Sequence, residues 1–246
     1  MLIGMEMFML KRLSLCLLAA CVLGGKAFAE TPAEADLESS VPELSALHEV
    51  IVPIWHTAYP AKDIAALKGF VPRINELAGK IYGARLPGIL RERKPAWKAG
   101  VSDLKKAVKA YNKAAKGSDD QALLDAAEEL HRRYELLFRA IRPVLPEIEA
   151  FHKTLYIVYH KDLPASDWES IRKLTPELNF GAKAISAAVL PKRFEALAPE
   201  FRKAAEALLK AATALQDLGS GANGAAVKAA VENIHSEYLL LQKIFE

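Results

Sequence analysis

Residues 119–141 read DDQALLDAAEELHRRYELLFRAI, and this stretch carries the clearest fold signal in the chain. Its larger apolar residues are spaced so that they share one face of an α-helix. They are Leu123, Leu130, Tyr134 and Leu137. Residues 223–245, which read NGAAVKAAVENIHSEYLLLQKIF, keep a glutamate, a histidine and a tyrosine at the same spacing. The chain is therefore expected to contain this helix twice.

The similarity between the two stretches extends over most of the chain. Residues 41–142 align with residues 145–246 at an offset of 104 positions without a gap, and 28 of the 102 pairs are identical. Because proline sets where helices begin, kink and end, retained prolines imply shared helix boundaries. We predict an internal duplication. The retained prolines are Pro42, Pro60, Pro72, Pro87 and Pro95, which recur as Pro146, Pro164, Pro176, Pro191 and Pro199.

Each copy is predicted to form four helices. In the first copy they run from about Pro42 to Tyr59, from Asp63 to Ala84 with a kink at Pro72, from Pro95 to Ala115, and from Asp119 to Ile141. No stretch shows the alternation of apolar and polar residues that is typical of a strand. The predicted fold is all-α, with two tandem four-helix units at residues 41–142 and 145–246.

The first 29 residues have the features of a secretory signal peptide. Lys11 and Arg12 precede an apolar run over residues 13–25, and the small-residue motif Ala-Phe-Ala follows at residues 27–29. The run is shorter than the roughly 20 residues that span a bilayer, and no other stretch resembles it. We predict an exported, periplasmic protein with a flexible mature N-terminus over residues 30–40 and no transmembrane segment.

Cys21 allows a second interpretation of the leader, as a lipoprotein anchor. Leu-Ala-Ala-Cys at residues 18–21 fits the pattern that precedes lipid attachment, although cleavage after Ala29 is favoured. Cys16 and all four methionines also lie in the leader. The predicted mature chain therefore has no thiolate or thioether ligand and no disulfide.

Charge gives no indication of a polyanionic partner. The chain has 33 basic and 30 acidic residues, and loss of residues 1–29 removes three basic residues and one acidic residue. The formal net charge therefore falls from +3 to +1. With both signs interspersed, binding to nucleic acid is not expected.

All six histidines occupy aligned positions in the two copies. His48, His56 and His131 align with His152, His160 and His235. In an up-down bundle the fourth helix is antiparallel to the first, which predicts the pairs His56 with His131 and His160 with His235. Eight residues correspond to about 12 Å of helix rise, so His48 and His152 are weaker candidates for the same ions.

The fourth helix adds further candidates at retained positions. Glu128 and Glu232 precede a histidine by three residues, and this spacing resembles the Glu-x-x-His motif of ferritin-like di-iron proteins. Those proteins use two such helices, whereas each copy here has one. Tyr134 and Tyr238 are candidate hydrogen-bonding partners of the ligands. Imidazole and carboxylate suit zinc, copper, nickel or iron, and paired histidines could alternatively bind a non-covalent haem.

Two functions follow, and the sequence leaves both open. The first is an exported bundle that binds a metal ion or haem for storage, sensing or delivery. The second is a cell-envelope adaptor that binds a partner protein and whose histidines are structural. No nucleophile elbow, His-Glu-x-x-His motif or phosphate-binding loop occurs, so an enzyme lacks support. A metal-dependent oxidoreductase is the third alternative.

Overall fold

A computed structural model describes residues 36–142 and 145–245, which belong to one compact unit. All regular structure in these residues is helical, so the predicted all-α class is confirmed. Among the described helices, none has the length and apolar character needed to cross a membrane. The predicted signal peptide and Cys21 lie outside the described residues.

The first half, residues 41–142, contains five α-helices, one π-helical turn and one 3₁₀ segment. We call the 3₁₀ segment Gly88–Arg93 the first connector. The α-helices are α1 Pro42–Pro53, α2 Ile64–Gly69, α3 Val71–Tyr82, α4 Lys94–Lys116 and α5 Asp120–Ile141, and the π-turn Ile54–Ala58 extends α1.

The second half, residues 145–246, repeats this order of elements. Its 3₁₀ segment Lys192–Leu197 is the second connector. The α-helices are α6 Pro146–Ile157, α7 Trp168–Ala187, α8 Ala198–Asp217 and α9 Gly224–Lys243; the π-turn Val158–Asp162 and a short turn, Leu163–Ala165, follow α6. Several elements begin 104 residues apart in the two halves, among them α1 and α6, the π-turns and the connectors.

The chain reverses at the same place in both halves. Lys62 and Ser166, at aligned positions, adopt left-handed backbone conformations with φ of 51° and 56°. Asp63 and Asp167 follow, and their carboxylates accept hydrogen bonds from the backbone N–H groups of Ala66 and Ser170, respectively. This N-cap role agrees with the predicted helix starts.

The second predicted helix differs between the halves. In the first half it is interrupted at Phe70, between α2 and α3, whereas in the second half α7 continues through Pro176. Both halves have a proline at the aligned position, so proline alone does not break the helix. Gly69 immediately precedes the interruption, and glycine stabilises a helix by about 1 kcal/mol less than alanine does.

Each half buries its own apolar core between four successive helical arms. Leu47, Leu77, Leu104 and Leu130 lie in the first core, and Leu155, Ile171, Leu208 and Ile234 lie in the second. Burial of each such side chain contributes about 1.5–3 kcal/mol. Tyr156 is the exception, because this residue of α6 packs into the core of the first half.

Tyr156 lies where the first connector contacts the second half. A Cβ atom on Gly88 would stand 2.1 Å from the Tyr156 hydroxyl, so the connector approaches this closely only because residue 88 is glycine. The Asp36 carboxylate accepts a hydrogen bond from the Gly88 N–H at 3.1 Å, and the Asp36 carbonyl accepts one from the Ile89 N–H at 2.9 Å. The connector is thus held between the N-terminal segment of the described chain and α6.

Candidate metal centre

The π-turns position the histidine that ends the first arm of each half. His56 lies in Ile54–Ala58 and His160 lies in Val158–Asp162. Hydrogen bonds from residue i+5 to residue i define these turns, as from the Tyr59 N–H to the Ile54 carbonyl at 2.8 Å and from the Leu163 N–H to the Val158 carbonyl. Such turns occur often at functional sites.

In the second half, His160 meets His235 of α9 and Glu92 of the first connector. One potential ligand atom from each residue lies within 4.8 Å of the other two. The Glu92 Oε1 atom is 2.9 Å from His160 Nε2 and 3.7 Å from His235 Nε2. Within the described part of the chain, this is the one group of three such residues that converge.

The three side chains are largely shielded from solvent. The exposed fractions are 18% for Glu92, 13% for His160 and 11% for His235. The Glu92 Oε2 and His235 Nε2 atoms are buried without a hydrogen-bond partner. Because unpaired buried polar atoms cost free energy, these two atoms are available to bind a further group.

Without a metal, the hydrogen bond from Arg91 determines which ring nitrogen of His160 carries the proton. Its Nη1 atom lies 3.0 Å from His160 Nδ1. A guanidinium group only donates, so Nδ1 must accept this hydrogen bond, and Nε2 carries the proton that is donated to Glu92. Arg91 also donates to the Tyr156 hydroxyl at 2.7 Å and to the Gly88 carbonyl at 3.1 Å.

The charges in the site follow from these contacts. Burial alone would raise the pKa of Glu92, but the hydrogen bond from His160 and the neighbouring His235 ring outweigh it and hold the pKa well below its usual range. Glu92 is therefore an anion. Burial also lowers the pKa of His152 to about 4, so this imidazole is neutral at pH 7.

Aromatic rings support the histidines in the same pairs in both halves. His235 stacks on Tyr159 at 3.7 Å between ring centroids, and His131 stacks on Trp55 at 4.1 Å. His48 and His152 stack on the retained Tyr134 and Tyr238, at 5.5 and 4.5 Å between ring centroids.

A cavity of about 660 Å³ opens beside His160. Arg91, Tyr159 and Trp168 contribute to its walls, and Lys228 and Glu232 lie on the α9 side. Of the three convergent residues, His160 lines this cavity, so the cavity borders one edge of the site.

The predicted ligands of the second half are only partly brought together. The His160 and His235 rings are 5.7 Å apart, which places this predicted pair side by side. Glu232 is exposed and lies 3.8 Å from Lys228, outside the convergent group. Tyr238 stacks on His152, and the buried His152 Nε2 atom has no hydrogen-bond partner.

The predicted ligands of the first half form no convergent group among the described residues. His48 and His56 are exposed, and His131 is half-buried against Trp55. Glu128 accepts a hydrogen bond from the Tyr59 hydroxyl at 3.0 Å. Tyr134 stacks on His48 at 5.5 Å.

Sequence reasoning missed Glu92. The candidate ligands were residues retained in both copies, and the residue aligned with Glu92 is Ala196. The remaining signal was weak: an Arg-Glu-Arg triplet at residues 91–93, in an irregular segment between two retained prolines. Its importance depends on a contact with the other half, which alignment of the copies does not reveal.

Comparisons of the chain with protein-family models, with curated proteins and with solved structures find no match.

Proposed function

We propose that this protein is an exported carrier or sensor that binds one divalent transition-metal ion between Glu92, His160 and His235. The observation that carries the proposal is the convergence of three shielded side chains, two of which have a buried polar atom without a hydrogen-bond partner. The chemistry and the spacing of these side chains both support a metal ion.

The donor set suits a borderline metal ion. Two imidazoles and one carboxylate bind zinc in many proteins and leave a further position for water or another ligand. The same set also suits iron(II). Zinc bonds of about 2.0–2.1 Å at tetrahedral angles place ligand atoms about 3.3 Å apart. The distances of 2.9 and 3.7 Å from Glu92 bracket this value, and all three ligand atoms lie within 4.8 Å of one another.

An ion fits the site better than a haem. A haem iron bound by two histidines requires its flat macrocycle between the two rings. Here the Glu92 carboxylate contacts both His160 and His235, and so it occupies the space that the macrocycle would need.

Arg91 favours reversible binding of the metal ion. A metal on His160 Nε2 moves the remaining ring proton to Nδ1, where it faces the Arg91 guanidinium, so Arg91 must turn away. Arg91 keeps two other hydrogen-bond acceptors, Tyr156 and Gly88, when it releases His160. A single site of moderate affinity suits sensing or delivery better than storage.

A structural role for the histidines is the second candidate, and one observation favours it. Arg91, His160 and Glu92 form a continuous donor-to-acceptor chain without any metal. In that case the site joins the two halves of a cell-envelope adaptor, and the adaptor binds another protein.

Export and internal duplication belong to the same proposal. Export is supported by the leader-like residues 1–29, with a lipid anchor at Cys21 as the alternative. Duplication is supported by the gap-free alignment and by the matching positions of the π-turns, the connectors and the left-handed residues. On this proposal the protein acts in the periplasm, and each half descends from one four-helix unit.

Equilibrium dialysis of the untagged protein against zinc tests metal binding. We expect one equivalent of bound zinc, and the variant His235→Asn should bind at least about tenfold more weakly. The matched control is His131→Asn, which removes the aligned histidine, also stacked on an aromatic ring, from the first half. Absence of binding, or equal losses in the two variants, would favour the structural role. Thermal unfolding of both variants checks that the fold is retained.

A further inference from the structure

The first half exposes the surface that the second half covers. We call Val52, Trp55, His56 and Tyr59, on α1, its π-turn and the turn that follows, the exposed histidine face. Val52 is 38% exposed, whereas Tyr156, the residue aligned with it, is 2% exposed. His56 is exposed, whereas His160 is half-buried against the first connector. Trp55 and Tyr59 are half-buried, as are the aligned Tyr159 and Leu163, so the difference between the halves lies at Val52 and His56.

The second connector is exposed where the first connector is buried. The first connector buries Ile89 and Leu90, but the second connector, Lys192–Leu197, has no buried residue. Lys192, Arg193, Glu195 and Ala196 are exposed. Within the described chain, therefore, one connector covers a histidine face and the other covers none.

We infer that the second connector of one copy docks on the exposed histidine face of a second copy. The contact would repeat, between molecules, the contact that the first connector already makes with α6 inside each molecule. It joins two different surfaces, so the assembly is head-to-tail, as an open chain or a closed ring.

The sizes of the facing residues are complementary. Inside the molecule, Gly88 leaves room for the Tyr156 hydroxyl. The aligned pair between molecules is Lys192 and Val52. In the internal contact the larger residue, Tyr156, lies on the face, whereas between molecules the larger residue, Lys192, lies on the connector. The lysine stem therefore occupies the space that the tyrosine ring fills in the internal contact.

The polar groups are complementary as well. Inside the molecule, Arg91 donates to His160. The aligned pair between molecules is Glu195 and His56, and a carboxylate accepts a hydrogen bond from an imidazole. Lys192 and Arg193 add positive charge to the connector. The face is bordered by Glu49, whose side chain is 73% exposed and lies 4.0 Å from Arg73, and by Glu128, which accepts the hydrogen bond from Tyr59. Opposite charges on the two surfaces favour this orientation over the reverse one.

The inference is independent of the proposed metal site. The docked contact uses none of Glu92, His160 and His235. It is therefore tested in the presence of a chelator, where failure of the metal proposal has no influence on the result.

Disulfide capture tests the contact directly. Two singly substituted chains, His56→Cys and Glu195→Cys, are prepared with Cys16 and Cys21 changed to serine, which removes both natural cysteines. On mixing and mild oxidation we expect a disulfide between position 56 of one chain and position 195 of the other, identified by peptide mass. Because each chain carries one cysteine, a bond within a molecule cannot form. Disulfides that form only between identical positions, or none, would overturn the inference.

Sedimentation velocity across a concentration series provides a second test. We expect concentration-dependent association in a chelator, weakened at least about tenfold by Glu195→Lys and recovered in the double variant His56→Glu with Glu195→Lys. The two positions are exposed, and circular dichroism confirms the fold of each variant. A wild-type chain that remains monomeric at every concentration would contradict the inference and leave the face to a different protein.

Discussion

The two halves carry the same three histidines but place them in different environments. In the second half, His152 and His235 are buried and His160 meets a carboxylate from the first half. In the first half, His48 and His56 are exposed, and the described residues bring no carboxylate to them in a convergent group. The environments differ because the first connector contacts His160 and His235 in the second half. Retention of a residue in both copies therefore does not imply the same role in both.

The largest expected effect comes from making the first connector resemble the second connector at Glu92. The variant Glu92→Ala introduces the residue that stands at the aligned position 196. Loss of the only anionic ligand should weaken zinc binding more than about 100-fold, since even loss of a residue outside the ligand set costs 10–100-fold. Equilibrium dialysis measures the change. The control Glu128→Ala should leave zinc binding unchanged, and an equal loss there would contradict the assignment.

A large pH effect is expected from the buried histidine of the second half. The folded-state pKa of His152 is about 4, below the value near 6.5 expected when unfolded. Between pH 4 and pH 6.5 the unfolded chain therefore binds one proton more than the folded chain. The free energy of unfolding thus falls as the pH is lowered from 6.5 to 4. The maximal contribution is about 3 kcal/mol.

Urea unfolding in chelator across this pH range measures the His152 contribution. The variant His152→Gln should flatten the slope, whereas His48→Gln, at the exposed aligned position, should not. Glu92 contributes with the same sign, but only at pH values below the usual carboxyl pKa, where its lowered folded-state pKa begins to matter. Equal slopes in the wild type and in His152→Gln would show that burial does not perturb this histidine.

A smaller effect is expected at the close contact between the halves. Gly88→Ala forces a Cβ atom against the Tyr156 hydroxyl, and overpacking of this kind costs about 1–3 kcal/mol of unfolding free energy. Lys192→Ala, at the aligned and exposed position, should cost little. The second substitution Tyr156→Phe removes the clashing oxygen and should recover part of the loss. Additive effects in this double-mutant cycle, followed by urea unfolding, would mean that the two residues do not interact.

The smallest expected effect is a gain of affinity at Arg91. In Arg91→Gln, the new amide oxygen can accept the Nδ1 proton that a metal-bound His160 must carry, whereas arginine cannot. Zinc affinity should rise about tenfold. The control Arg85→Gln removes a nearby exposed arginine that pairs with Asp36. Unchanged or weaker binding in Arg91→Gln would show that Arg91 does not compete with the metal.

Much of the fold follows from local patterns. Proline positions and helical spacing predicted the all-α class and four helical arms in each half, and the arms begin close to the expected residues. Asp63 and Asp167 were expected at helix starts and are N-caps. The π-turns, the interruption at Phe70 and the 3₁₀ connectors were not anticipated, because each depends on packing as well as on local sequence.

The site was predicted less completely. The pairing of His160 with His235 followed from helix direction in a bundle, and the rings do lie side by side. Glu232 and Tyr238 shared the spacing of ligands, yet one points to Lys228 and the other supports His152. Spacing along one helix specifies a face of that helix, but it does not specify what the neighbouring elements bring to it.

The sequence by itself determined the helices and the alignment of six histidines, since these depend on interactions between residues near in sequence or on direct comparison of the copies. Only the tertiary structure decided which histidines meet a carboxylate. Glu92 is 68 residues from His160 in the chain, and the two meet because Gly88 lets the connector pack against Tyr156. That contact depends on the shapes of two folded surfaces, and no repeating pattern along the chain encodes it.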